Sequence, residues 1–79
     1  MIAYKWWSGM TGNEFLRRLR KLAREDGTNV TYRQDEGPGS HGTIYYGQRQ
    51  TTLKDPRKDI GRGLLRKMCR DLGIDPGRL

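Results

Sequence analysis

Two stripes of apolar residues at helical spacing bracket a block rich in β-branched and aromatic residues, and that order limits what the chain can become. The first stripe is Phe15, Leu16, Leu19, Leu22 and Ala23, one face of an amphipathic helix. Thr11-Gly12-Asn13-Glu14 precedes it in the form of a capping box, with Thr11 as N-cap and Glu14 at the third helical position. Gly27 predicts the stop, so the helix runs to Glu25 or Asp26. The second stripe is Ile60, Leu64, Leu65, Met68, Cys69 and Leu72. Asp59 is its expected N-cap, Gly73 its stop, and Asp75-Pro76-Gly77 discourages continuation. The glycines at 61 and 63 weaken its first turn.

Between the helices, residues 28–34 (TNVTYRQ) read as a strand with Val30 and Tyr32 on one face. A second strand is expected from about Ser40 to Tyr46. After the short turn Gly47-Gln48, a third runs from Arg49 to Leu53. The tight connections predict a three-stranded antiparallel meander. The order is α-β-β-β-α, an α+β fold, and a single core requires both helices on one face of the sheet. The other face stays open. If Ile44 and Tyr46 point to the core, alternation turns His41, Thr43 and Tyr45 onto the open face.

A chain of 79 residues makes one small domain with a thin core. Residues 10–79 are assigned to it. Residues 1–9 lack periodicity, are followed by a second methionine, Met10, and are read as a leader or extension without assigned function. Sixteen Lys and Arg against nine Asp and Glu give a net charge of +7, which points to a polyanionic partner. Arginine outnumbers lysine, which suits bidentate contact with phosphate or carboxylate. Lys54, Arg57, Lys58, Arg62, Arg66, Lys67 and Arg70 concentrate in the final third, while Arg17, Arg18, Arg20, Lys21 and Arg24 fall on the non-apolar faces of the first helix. The single cysteine, Cys69, excludes an intrachain disulfide and is expected as a reduced, half-buried thiol. No apolar run approaches the ~20 residues that span a bilayer, and no segment has the form of a secretory signal, so the chain reads as cytoplasmic.

The stretch with the most chemical content is Gly37-Pro38-Gly39-Ser40-His41-Gly42. Glycines and proline force a bend and permit close approach of a ligand backbone. His41 is the only histidine, and the free side chain titrates at a pKa of about 6.5, suited to proton transfer near neutral pH. One histidine and one distant cysteine do not supply the three or four ligands of a zinc site, so no metal or other cofactor is expected. A serine-hydrolase arrangement is also unsupported, because Ser40 and His41 alternate to opposite faces of the strand. Proton transfer is the chemistry one histidine can support. RNA suits it, since RNA carries its own nucleophile in the 2′-hydroxyl.

These residues resemble a known family. Gly39-Ser40-His41, a hydrophobic strand, a short basic turn, Thr51-Thr52-Leu53-Lys54, and a helix with Gly63-Leu64-Leu65-Arg66 ending in Leu72-Gly73-Ile74 are similar to the HicA toxins of bacterial HicA–HicB toxin–antitoxin modules. The likeness runs from about Met10 to Ile74. It implies a fold like the double-stranded-RNA-binding domain, metal-independent cleavage of mRNA that shuts down translation, and a functional histidine at His41. It also implies a HicB-like antitoxin that covers the active surface. One departure is visible: many members carry a proline after the third strand followed shortly by His or Lys, whereas here Lys54 precedes Pro56. A second catalytic group is therefore left unassigned.

The expectation is a toxin ribonuclease in which His41 acts as general acid or base and Gly37, Gly39 and Ser40 shape the loop that admits the RNA backbone. Arg49, Lys54, Arg57, Lys58 and Arg62 are the candidates for phosphate contact, with Arg49 and Lys54 flanking the strand next to His41. Two rivals use the same residues. A non-catalytic double-stranded-RNA-binding module would reduce His41 to a contact. A basic protein with only an acidic protein partner would have no RNA affinity at physiological salt.

Overall fold

The computed structural model describes residues 10–34 and 42–79. Helix α1 spans Gly12–Asp26, and its first turn closes as the capping box predicts, with the Glu14 amide donating to Thr11 Oγ1 at 3.2 Å. Gly27, at φ 69°, ends it in the left-handed conformation. Strands β2 (Val30–Gln34), β3 (Gly42–Tyr46) and β4 (Arg49–Leu53) form an antiparallel sheet in the order β2-β3-β4. Helix α2 spans Arg62–Leu72 and stops at Gly73. The chain then turns through a 3-10 segment, Pro76–Arg78.

Alternation along the strands is what makes this one layer of helices on one layer of sheet. Ile44, Tyr46, Thr51 and Leu53 are buried beneath the helices, with Val30 and Tyr32 packed at the margin of the same core. Helix α1 rests on β2 and α2 on β4. Phe15, Leu19, Ile44, Leu65, Met68, Cys69 and Leu72 are sealed from solvent. The opposite sheet face carries Thr31, Arg33, Thr43, Tyr45, Gln50 and Thr52, none of them buried. The expected α-β-β-β-α order, with both helices on one face of a three-stranded antiparallel meander, is the observed one.

The hairpin between β3 and β4 follows from one glycine. Tyr46 pairs with Arg49 across a two-residue turn, and Gly47 supplies its positive φ of 61°. A side chain there would be strained and would also press on Thr28 Oγ1.

Several expectations need correction. The first sheet strand begins at Val30 rather than Thr28, because the Thr28 amide is held by the Ala23 carbonyl at the end of α1. Asp59 is not the cap of α2. Asp59–Ile60 form a short strand, β5, paired antiparallel with β1 (Met10–Thr11), in the register Met10 to Ile60 and Thr11 to Asp59. The cap of α2 therefore lies two residues later, at Gly61, which offers no side-chain hydrogen bond, and the helix begins at Arg62. Leu64 does not join the buried stripe; it is 49% exposed. Cys69 is fully buried rather than half-buried, and burial pushes its thiol up to about 11.

Two polar contacts fasten the layers. Thr51, buried on β4, donates to Asp71 Oδ2 on α2 at 2.9 Å, and Lys67 Nζ reaches the same oxygen at 2.9 Å. At the other margin, the Tyr46 hydroxyl donates to Asp26 Oδ2 at 2.8 Å.

Candidate nucleic-acid interface

His41, Gly37, Gly39 and Ser40 lie outside the described residues. The sheet nevertheless fixes where their segment is attached, since Gln34 ends β2, Gly42 begins β3, and these two residues pair with each other. Segment 35–41 thus leaves from and returns to one end of the sheet. Leu53 is the other partner of Gly42, so Lys54 emerges at that same end.

The connection 54–58 is built on local hydrogen bonds. Asp55 Oδ1 accepts from the Arg57 amide at 2.9 Å, the Lys58 amide donates to the Asp55 carbonyl at 3.1 Å, and the Arg57 guanidinium lies 3.4 Å from the Asp55 carboxylate. The bond from the Arg57 backbone, reinforced by its side chain, holds the Asp55 carboxyl below its ordinary value. Helix α1 anchors the connection from below. The Gly12 amide donates to the Lys58 carbonyl at 3.1 Å and the Asn13 amide to the Pro56 carbonyl at 2.8 Å. These two amides of the helix N-terminus are therefore spent on protein rather than offered to an anion. The approach is close: a Cβ on Gly12 would lie 2.7 Å from Pro56 Cα.

These elements gather Lys54 and Arg57 with Asn13 and Gln34 around one cleft of about 350 Å³. Lys54 also borders a neighbouring groove, which it shares with Lys58, Leu64 and Lys67. Two cations and two side-chain amides, suited to phosphate oxygens, thus flank the end of the sheet to which segment 35–41 is attached, beside the Asp55 carboxylate that pairs with Arg57. Arg62 stands at the start of α2, exposed and beyond β5.

Arg49 is not brought to this end. It pairs with Tyr46, at the opposite end of β4 from Leu53. Its side chain crosses the C-terminus of α2, close enough that a Cβ on Gly73 would meet Arg49 Nε at 2.8 Å. A cation there faces the negative end of the α2 dipole. Arg49 therefore flanks β3 as expected from the sequence, but at the end remote from residue 42.

One contact that sequence reasoning missed shapes the attachment of the loop. The Tyr32 ring lies over Gly42, and its hydroxyl donates to the Leu53 carbonyl at 3.3 Å. A Cβ at 42 would collide with the ring, so the middle strand needs glycine where it meets segment 35–41. Burial, with the nearby Asp55 charge second, raises the Tyr32 phenol above its ordinary value. Gln34 and Asn13 were missed too, since their place in the cleft arises from register and helix docking rather than from any local pattern.

Among the described residues, no group of three or more His, Cys, Asp and Glu side chains is arranged to hold a metal ion, and no helix is long and apolar enough to cross a membrane. Comparison with protein-family models, with curated proteins and with solved structures finds no match.

Proposed function

We propose that this chain is a metal-independent endoribonuclease of the HicA toxin type, acting on mRNA and held in check by a HicB-like antitoxin. The observation that carries the reading is the convergence of Lys54 and Arg57 with Gln34 at the sheet end that also anchors segment 35–41, the segment that holds His41. The net charge of +7 supports a polyanionic substrate.

The chemistry asked of the chain is modest. His41, acting as general base, takes the proton of a ribose 2′-hydroxyl. The 2′-oxygen then bonds to the adjacent phosphorus while the bond from phosphorus to the 5′-oxygen breaks. The products are a 2′,3′-cyclic phosphate and a 5′-hydroxyl, the latter receiving a proton from the conjugate acid or from water. Positioned proton transfer contributes ~10²–10⁴-fold. Lys54 and Arg57 are the donors nearest to hand for the phosphate charge that grows in the transition state. Gly37, Gly39 and Ser40 would shape the approach of the RNA backbone, with Lys58 and Arg62 extending the basic surface.

The test is RNA cleavage in EDTA by the parent chain and by His41→Ala, both shown folded by circular dichroism. Cleavage by the parent and none by the variant is the expected result. Binding by both without cleavage by either would overturn the nuclease reading and leave a non-catalytic RNA-binding module. Absence of RNA affinity in both would leave an acidic protein as the partner.

A further inference from the structure

The face of α1 turned away from the core carries Arg17, Arg20, Lys21 and Arg24, all exposed. Their spacing is i, i+3, i+4, i+7, so they form one stripe along the helix, opposite the buried stripe of Phe15, Leu19, Leu22 and Ala23. Arg17 is paired with Glu14. Arg20, Lys21 and Arg24 make no ion pair with any other described residue. Like charges at this spacing destabilise a helix, and the capping box and buried face must offset them. The stripe is a ridge between two grooves. Arg18 and Arg78 border the first, and Thr28 and Asn29 the second. Arg18 Nε is shielded from solvent, has no hydrogen-bond partner among the described residues, and stands 3.8 Å from Glu14.

We propose that this ridge is a second seat for the RNA backbone, separate from the cleft around Lys54 and Arg57. The inference rests on the reading of RNA as partner. Neighbouring cations on a helix face stand about 5–6 Å apart at Cβ, and the stripe from Arg17 to Arg24 rises about 10 Å at 1.5 Å per residue. A flexible polyanion can lie along such a rail. An acidic protein fits it less well, because a specific protein interface needs apolar anchors at its centre. The ridge has none; the exposed large hydrophobic side chain among the described residues, Leu64, belongs to α2. A phosphate backbone needs none, since its affinity comes from release of counterions. The substrate is thereby held at the sheet end by Lys54 and Arg57 and along α1 by this ridge, which favours RNA long enough to reach both over a short oligonucleotide.

The test is fluorescence anisotropy with a labelled single-stranded RNA across a salt series. It uses the full chain carrying His41→Ala so that the RNA stays intact, alone and with Arg20→Gln, Lys21→Gln and Arg24→Gln added. Fold is checked by circular dichroism, and poly-glutamate serves as a second probe. Three lost phosphate contacts should lower the slope of log affinity against log salt by about 2 and weaken binding about tenfold at moderate salt. A charge-keeping variant, Arg20→Lys with Arg24→Lys, should retain most of the slope. An unchanged slope and affinity would overturn the proposal. So would loss of poly-glutamate binding with RNA binding intact, which would assign the ridge to an acidic protein. If the chain with His41 intact binds RNA with this slope yet does not cleave it, the nuclease reading fails while the ridge stands.

Discussion

The guanidinium of Arg78 closes on the carboxylate of Asp26 across fifty-two residues of sequence, with Nη2 2.7 Å from Oδ1 and Nη1 3.2 Å from Oδ2. The same carboxylate accepts the Tyr46 hydroxyl at 2.8 Å, so one aspartate joins the end of α1, the middle strand and the segment after α2.

Asp26 should make stability acid-sensitive. Arg78, then Tyr46, hold its carboxyl below the ordinary 3.8. A depressed carboxylate contributes stability that is present above the unfolded value and lost as pH falls through the folded one. Asp26→Asn should therefore lower the melting temperature at neutral pH and flatten the decline of stability below pH 3.8. Tyr46 acts at the other extreme. Burial, then Asp26, raises its phenol from 10.0 to about 12, so this contribution is present below pH 10 and is lost between there and about 12. Tyr46→Phe should cost about 1 kcal/mol at neutral pH and remove this share of the alkaline decline. Urea titrations across pH would check both.

Gly42 should not accept a side chain while Tyr32 occupies its present place. Gly42→Ala puts a methyl group into the Tyr32 ring and should cost about 1–3 kcal/mol as an overpacked site. Adding Tyr32→Val, which clears the ring, should make the second change cheaper than it is in the parent. A double-mutant cycle of denaturant midpoints measures that coupling; strict additivity would mean that the ring yields to the methyl at no cost.

Leu64 and Leu65 are adjacent on α2 and should behave oppositely. Leu65 is fully buried whereas Leu64 is 49% exposed. Leu65→Ala should destabilise by about 2–5 kcal/mol. Leu64→Ala should change stability by no more than about 0.5 kcal/mol. Chemical denaturation of the two variants decides the matter.

Lys54 and Arg57 should matter to RNA where Arg49 does not. Losing two phosphate contacts in Lys54→Gln with Arg57→Gln should reduce the salt slope of RNA binding by about 1 to 2 and slow cleavage. Arg49→Gln should leave RNA affinity within about twofold and lower the melting temperature, because its side chain packs over Gly73 at the end of α2. A larger effect of Arg49 on RNA than on stability would put the binding surface at the other end of the sheet.

What the sequence by itself determined is everything that depends on neighbours within about a turn of helix or on strand alternation. The Thr11 cap, the Gly27 and Gly73 stops, the apolar stripe of α1, the Leu65, Met68, Cys69 and Leu72 part of the second stripe, the Gly47-Gln48 hairpin and the burial of Ile44 and Tyr46 are of this kind. Periodicity and capping are properties of short windows, so these features are legible without the fold. Contacts between distant segments are not. Asp59 has the chemistry of a helix cap, but Thr11, far away in the chain, claims its backbone for a strand. Leu64 fits the helical stripe, yet it stands 49% exposed while Leu65 beside it is sealed in the core. Arg49 and Lys54 bracket the same strand in sequence, and the register, Gly42 to Leu53 and Tyr46 to Arg49, makes Lys54 rather than Arg49 the one beside residue 42. The meeting of Lys54, Arg57, Gln34 and Asn13 in one cleft has the same origin: sheet register and the docking of α1 on residues 56–58 set it, and no local pattern encodes either.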